Sequence, residues 1–288
     1  MSACVVARPG QPCYNAINRA RSFDWLGSFI STDKEVPMKR YQVWLDGQSL
    51  HNIDPSIRIL DVQEHTPATR LDAVPRAMGD GLHATHSHRE ALRVTVTFVI
   101  REPKPLRRKS TMQKIRAWAQ AGGMMQLNDR AGQRLSVEAE ALPSIQSALK
   151  WTEPCTVTFI ARAVPYWEES FPVETTATAL TPPGDAPTCP IDLRWTSQHS
   201  GAITLAVETP LSRLVFSGMP VTPGQELLVT HQQGVLVATL DGQDVLSYRT
   251  PESSDDLLIT CGRRNSISVT VDGEAATGYT LSARGRWL

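Results

Sequence analysis

Three of the four Asp-Gly pairs, Asp46-Gly47, Asp241-Gly242 and Asp272-Gly273, each close a short run rich in apolar and β-branched residues, and they constrain the fold of this 288-residue chain more than any other feature. A two-residue Asp-Gly turn suits the geometry in which both central residues take positive φ, and that geometry joins neighbouring antiparallel strands. A chain built from hairpins is therefore expected. The strand pattern agrees, since Leu92, Val94, Val96, Phe98 and Ile100 alternate strictly with Arg93, Thr95, Thr97 and Val99, the period of a strand with one buried face. Tyr41 to Leu45 forms a strand running into the first turn, and 57–62 alternates more loosely.

One segment breaks the β pattern. After Pro103 and Pro105, Ser110 reads as a helix cap, Met112, Ile115, Trp118 and Ala119 fall on one helical face, and Gly122-Gly123 ends the run, which predicts a helix over 110–121. A hairpin over 124–127 and 134–141 follows, turning at Asn128-Asp129-Arg130-Ala131-Gly132, and then a strand over 155–162. Residues 38–171 thus read as one β domain, a sandwich or barrel-like sheet with one packed α-helix. Residues 172–189 are rich in Thr, Ala and Pro, a composition suited to an extended linker. Beyond it, 190–288 holds eight short strands between turns, which suggests a β-sandwich or jelly roll. The fold class is mainly β, in two domains, as the length allows.

Residues 1–37 carry little periodicity. They read either as an arm or misread start, or as a short amphipathic helix through Phe23, Trp25, Leu26, Phe29 and Ile30.

Charge and cysteine content narrow the function. Lysine plus arginine and aspartate plus glutamate number 29 each, so no overall field draws the chain to nucleic acid or an anionic membrane. The five cysteines, Cys4, Cys13, Cys155, Cys189 and Cys261, are scattered without a C-x-x-C pair and read as free thiols of a reducing compartment. No apolar run approaches the roughly 20 residues of a membrane span, and Arg8, Arg19, Arg21 and Asp24 interrupt any signal-peptide pattern.

Candidate chemistry is sparse. Gly79, Gly81 and Ala84 match a loose dinucleotide fingerprint, but a strand follows where a helix is required, so a flexible loop is the better reading and no cofactor is expected. His83, His86 and His88 form a cluster in which His86 and His88 share one face of a strand, the spacing a metal can bridge. With no cysteine nearby and only Asp80 or Glu90 to complete a ligand set, loop or subunit-contact histidines are favoured. Lys104, Arg107, Arg108 and Lys109 make a basic stretch lacking interleaved aromatics, read as solvated surface. Glu252, Asp255 and Asp256 are spaced as a loop and not as a catalytic pair. Trp151, Tyr166, Trp167 and Trp195 read as core plugs, with a sugar-stacking platform as the alternative. No convergent catalytic set emerges, so no enzyme is expected.

The order of these pieces carries a resemblance. The strand ending at Asp46-Gly47, the loop with Gly79-Asp80-Gly81, the strand 93–101, the helix ending at Trp118, the hairpin, the strand Thr156-Val157-Thr158-Phe159-Ile160-Ala161 and Pro165-Tyr166-Trp167 resemble the N-terminal domain of the distal tail proteins of siphophages. Pro223-Gly224-Gln225-Glu226-Leu227-Leu228-Val229, the strand ending at Asp241-Gly242, and Cys261-Gly262-Arg263-Arg264-Asn265-Ser266-Ile267-Ser268-Val269 are similar to that family's galectin-like C-terminal domain. The resemblance covers nearly all of 38–288; the first 37 residues depart from it. It implies a virion component assembled in the host cytoplasm and located at the tail tip, a homo-hexameric ring joining the tail tube to the tip or baseplate. It implies as partners the tail tube protein, the tail tip or tail-associated lysin protein, the tape measure protein and receptor-binding proteins, with no membrane contact and with DNA only passing through the channel. Exposed strand edges fit such a ring, which would pair them. Residues 75–89 are expected to reach a neighbouring subunit, with Asp80, Gly81, His83, His86 and His88 as contacts. A carbohydrate-binding protein acting through the C-terminal sandwich is the alternative.

Overall fold

The computed structural model describes residues 41–75, 82–144 and 153–288, with the backbone course alone for 71–75 and 82–88. The N-terminal extension, its helical alternative and Trp151 lie outside the described residues.

The first half is a sheet folded over one long helix. β1 (Val43–Leu45) and β2 (Gln48–Ser49) form a hairpin, α1 (Leu50–Ile53) is a single turn capped by Ser49, and β3 (Ile57–His65) follows. β4 (Thr69–Pro75) and β5 (Leu82–Arg89) pair only with each other, before β6 (Leu92–Ile100) returns alongside β3. Next come α2 (Pro105–Ala121), β7 (Gly123–Leu127), β8 (Gln133–Ala141), β9 (Cys155–Ala161) and β10 (Trp167–Glu169). The strand order is β2-β1-β7-β8-β9-β6-β3, which leaves β2 and β3 at the two ends. β6 has the predicted extent, its alternate residues Leu92, Val94, Val96, Phe98 and Ile100 buried.

α2 starts five residues before the expected cap. Pro105 occupies the first turn with Lys104 as N-cap, where proline's fixed φ and missing N–H cost nothing, so the proline taken as a break is the helix start. The extra turn buries Arg108, which donates from Nη1 to the Glu102 and Pro103 carbonyls; this member of the basic stretch is structural and not solvated. Met112, Ile115, Trp118 and Ala119 face the sheet as expected. Trp118 meets Phe159 edge to face, with ring centroids 5.8 Å apart, a favoured aromatic arrangement.

The second half is two sheets around one core. The segment that composition assigns to a linker is itself paired, through β11 (Val173–Thr175) and β12 (Ala179–Leu180), and Leu180 and Ala186 enter the second core. The strands β13 (Cys189–Thr196), β14 (Gly201–Glu208), β15 (Arg213–Val221), β16 (Glu226–Gln232), β17 (Val235–Leu240) and β18 (Gln243–Asp244) follow. After a single 3₁₀ turn come β19 (Leu258–Ile259), β20 (Asn265–Ser266), β21 (Ser268–Val271), β22 (Glu274–Ala275), β23 (Tyr279–Ala283) and β24 (Arg286–Trp287). One sheet runs β11-β23-β13-β16-β17-β18 and the other β15-β14-β21-β22. Ile191, Leu193, Trp195, Val229 and Leu281 of the first meet Leu205, Val207, Phe216 and Val269 of the second in a shared core, the architecture of a β-sandwich.

The three Asp-Gly pairs form the expected turns, with φ of 46° and 78° at Asp46-Gly47, 48° and 81° at Asp241-Gly242, and 50° and 86° at Asp272-Gly273. Each aspartate also clamps the strand on the other side of its hairpin. The Asp46 N–H donates to the Met124 carbonyl while Asp46 Oδ1 accepts from the Met124 N–H, at 3.0 and 2.8 Å. Asp241 makes the same pair with Glu226, at 2.9 and 2.9 Å, and Asp272 with Thr204, at 2.8 and 2.7 Å. In each case the side chain acts as one more carbonyl, carrying the ladder a step past the point where the chain turns away.

Candidate functional site

Two features of the first half could meet other chains. One is the β4–β5 hairpin, which leaves the sheet between β3 and β6 and closes at its neck where the Glu90 N–H donates to the Ala68 carbonyl at 2.9 Å. Its register places His83 opposite Val74, His86 opposite Asp72 and His88 opposite Arg70. An irregularity between Asp72 and Ala73 shifts that register, so all three histidines hold positions on one face of the hairpin, although an unbroken strand would put His83 opposite the other two. Asp80 and Gly81 lie outside the described residues. The second feature is β3, whose outer edge has no strand partner among the described residues and which carries half-exposed Leu60. Elsewhere on the first half Phe171 is 83% exposed, an uncovered aromatic of the type enriched at protein interfaces.

The two halves are bound together by the last strand. β24 leaves the second half to pair with β10, setting Trp287 opposite Trp167 and Arg286 opposite Glu168. Arg286 Nε donates to Glu168 at 2.9 Å, Trp287 Nε1 donates to Glu169 Oε1 at 3.1 Å, and the Trp287 ring packs against the first core. The Asp185 and Ala186 N–H groups share the Arg286 carbonyl. Beside this strand, the Trp167 Nε1 donates to Glu64 Oε2 at 2.8 Å, Arg130 Nε donates to Glu64 Oε1 at 2.9 Å, and the Arg130 guanidinium sits 5.1 Å from the centre of the Trp167 ring. Glu64 therefore satisfies one buried N–H and one cation together.

Among the described residues, Tyr166, Trp167 and Trp195 do not make a platform. Trp167 and Trp195 are buried, and Tyr166 lies against the guanidiniums of Arg89 and Arg286, each 5.5 Å from its ring centre. Of the acidic run, Asp255 pairs with Arg249 at 2.6 Å, and Asp256 lies 3.9 Å from His231. Among the described residues no cluster of His, Cys, Asp and Glu is arranged to hold a metal ion, and no helix is long and apolar enough to cross a membrane. Glu64, Arg130 and the β24 contacts escaped the sequence reading because their hydrogen bonds join residues 66 to 118 positions apart, with no local spacing to announce them.

No family model matches this chain, and no curated protein matches it. Solved structures do. Two structures of the phage p2 baseplate in its activated conformation, with Ca and with Sr, each align at 6% identity over 85% of this chain and 97% of theirs, with a TM-score of 0.44. The Dit protein of phage SPP1, described as a paradigm of the hub adsorption apparatus in phages infecting Gram-positive hosts, aligns at 14% identity over 87% of this chain and 100% of its own, with a TM-score of 0.65. Both halves, in their order, thus follow one known architecture, and the chain carries the fold of a siphophage distal tail protein.

Proposed function

We propose that this chain is a structural component of a phage tail, a distal tail protein, and not an enzyme. The observation that carries the reading is the alignment with SPP1 Dit, which spans that protein's whole length and both halves of this chain. In this reading six copies close into a ring that joins the tail tube to the tip or baseplate, with 38–171 forming the ring, 172–189 the connection, and 190–288 a galectin-like domain that projects outward to carry adhesion components. Its partners are the tail tube protein, the tail tip or tail-associated lysin protein, the tape measure protein and receptor-binding proteins. Assembly takes place in the host cytoplasm, the ring resides at the virion's tail tip, and DNA only passes through it.

The unpaired edge of β3 supports ring closure, since an exposed edge is a liability that a neighbouring subunit relieves. The β4–β5 hairpin, with Asp80, Gly81, His83, His86 and His88, is the proposed contact to that neighbour. Size-exclusion chromatography with mass detection and negative-stain imaging tests the ring: six chains of 31.7 kDa give a particle of about 190 kDa with a central pore, whereas a monomer at every concentration refutes it. The neck bond between Ala68 and Glu90 supplies the companion test. Replacing 69–89 by an Asn-Gly turn leaves β3 and β6 paired and should yield folded monomers; hexamers surviving the replacement would remove the hairpin from the interface.

A further inference from the structure

The junction of the two halves holds a partly open cavity of about 170 Å³ whose mixed lining includes six ionisable side chains. From the first half come Arg134 and Glu168, and from the second Asp192, His231, Arg284 and Arg286. Three guanidiniums face two carboxylates, and the carboxylates are committed. Glu168 pairs with Arg286 at 2.9 Å, with both side chains largely buried, and Asp192 accepts from the His231 N–H at 3.1 Å and lies 3.4 Å from its Nδ1. Arg284 uses Nη1 on the Glu169 and Ser170 carbonyls, which orients it without neutralising it.

Two polar atoms at this cavity's lining residues lack partners. Arg134 Nε is shielded from solvent and has no hydrogen-bond partner among the described residues, and the same holds for His231 Nε2. The His231 side chain is only 5% exposed, and its nearest carboxylate on that side, Asp256, is 3.9 Å away, beyond hydrogen-bond reach. A buried, unmade bond to a charged donor is costly, and native structures rarely keep one. Burial and the neighbouring charge of Arg134 lower the pKa of Arg284 against the opposing pull of Glu168 and Asp192, as expected where two cations share a partly desolvated space.

We propose that this cavity binds a small tetrahedral oxyanion of the phosphate and sulfate class, held by Arg134 and Arg284 with His231 on its other side, so that one ion bridges the two halves. Planar guanidiniums match such an ion with paired N–H donors. The His231 Nε2 can donate when protonated, or accept from a P–OH when neutral. The volume accommodates an inorganic ion and not a nucleotide or a lipid headgroup with its chain.

The test is isothermal titration of the full chain with sodium phosphate and with sodium sulfate, each against sodium chloride at matched ionic strength, with thermal unfolding alongside. The expected result is saturable single-site heat for phosphate or sulfate, a rise in melting temperature that follows the ion concentration, and affinity weakened by about tenfold or more in both Arg134→Gln and Arg284→Gln. Absence of saturable heat from the unmodified protein overturns the proposal whether or not the variants fold. So does equal binding by folded variants, which would put the ion elsewhere. Tighter binding of acetate than of phosphate would also overturn it, by assigning the cavity to a carboxylate such as an acidic side chain of a partner.

Discussion

Replacing Asp241 separates the two tasks its side chain performs. The residue holds φ at 48° and its Oδ1 accepts from the Glu226 N–H at 2.9 Å. Alanine loses both advantages. The left-handed conformation costs an ordinary L-residue about 1 kcal/mol more than it costs aspartate or asparagine, and a hydrogen bond to a charged acceptor contributes about 1.5 kcal/mol at the lower, exposed end of its range. Asp241→Ala should therefore destabilise the fold by about 2.5 kcal/mol, a fall in melting temperature of about 7 °C for a unit of this size. Asp241→Gly removes the acceptor while tolerating the turn, and should cost about 1 kcal/mol. Asp241→Asn keeps both the conformation and a neutral acceptor, and should cost less than 1 kcal/mol. Urea unfolding of the four proteins measures the series. If alanine falls within 0.5 kcal/mol of the parent, roughly the floor for an inert surface change, or if asparagine is as damaging as alanine, the ladder-clamp argument is wrong. Because the same pair of bonds recurs at Asp46 and Asp272, the same order is expected there.

Other consequences are equally accessible. Glu64→Ala strands the Trp167 N–H in the core and releases Arg130, so it should lower stability by about 2 to 3 kcal/mol, read by urea unfolding; a loss below 0.5 kcal/mol would dismiss the role given to Glu64. Gly184→Ala places a methyl group into the Arg286 carbonyl at a φ of +120°, and a loss of about 3 kcal/mol should appear with faster amide exchange in β24, whereas unchanged exchange would refute the close approach. Burial, aided by the hydrogen bond that Tyr41 donates to Asp129, pushes the Tyr41 phenol up to about 12. The neutral phenol is thus favoured by folding: that stabilisation is complete below about pH 10, the ordinary tyrosine value, and disappears as the pH rises through about 12. An absorbance titration should show a phenolate forming near pH 12 that Tyr41→Phe abolishes; a Tyr41→Phe difference that appears near pH 10 would contradict it.

What the sequence made readable was local. The period of two in β6 and the turn chemistry of the Asp-Gly pairs are written in adjacent residues, and both held in the structure. The start of α2 misled because a proline can end one element or open the next, and only the packing of Arg108 and Thr111 decides between them. The pairing inside 172–189 was not legible because composition reports the cost of ordering a chain, not the partners that offset it; β11 and β12 are short strands held by β23 and β20. The cavity at the junction was out of reach, since Arg134 and Arg284 come together only when both sheets have formed.

The return of β24 to β10 means that the first half is not a continuous length of chain. Excising 190–288 would strip the sandwich of β11 and β12, and a fragment ending at 171 would lack the Trp287 ring against its core. During synthesis, the first sheet must wait with one flank open until the residues around 286 have left the ribosome.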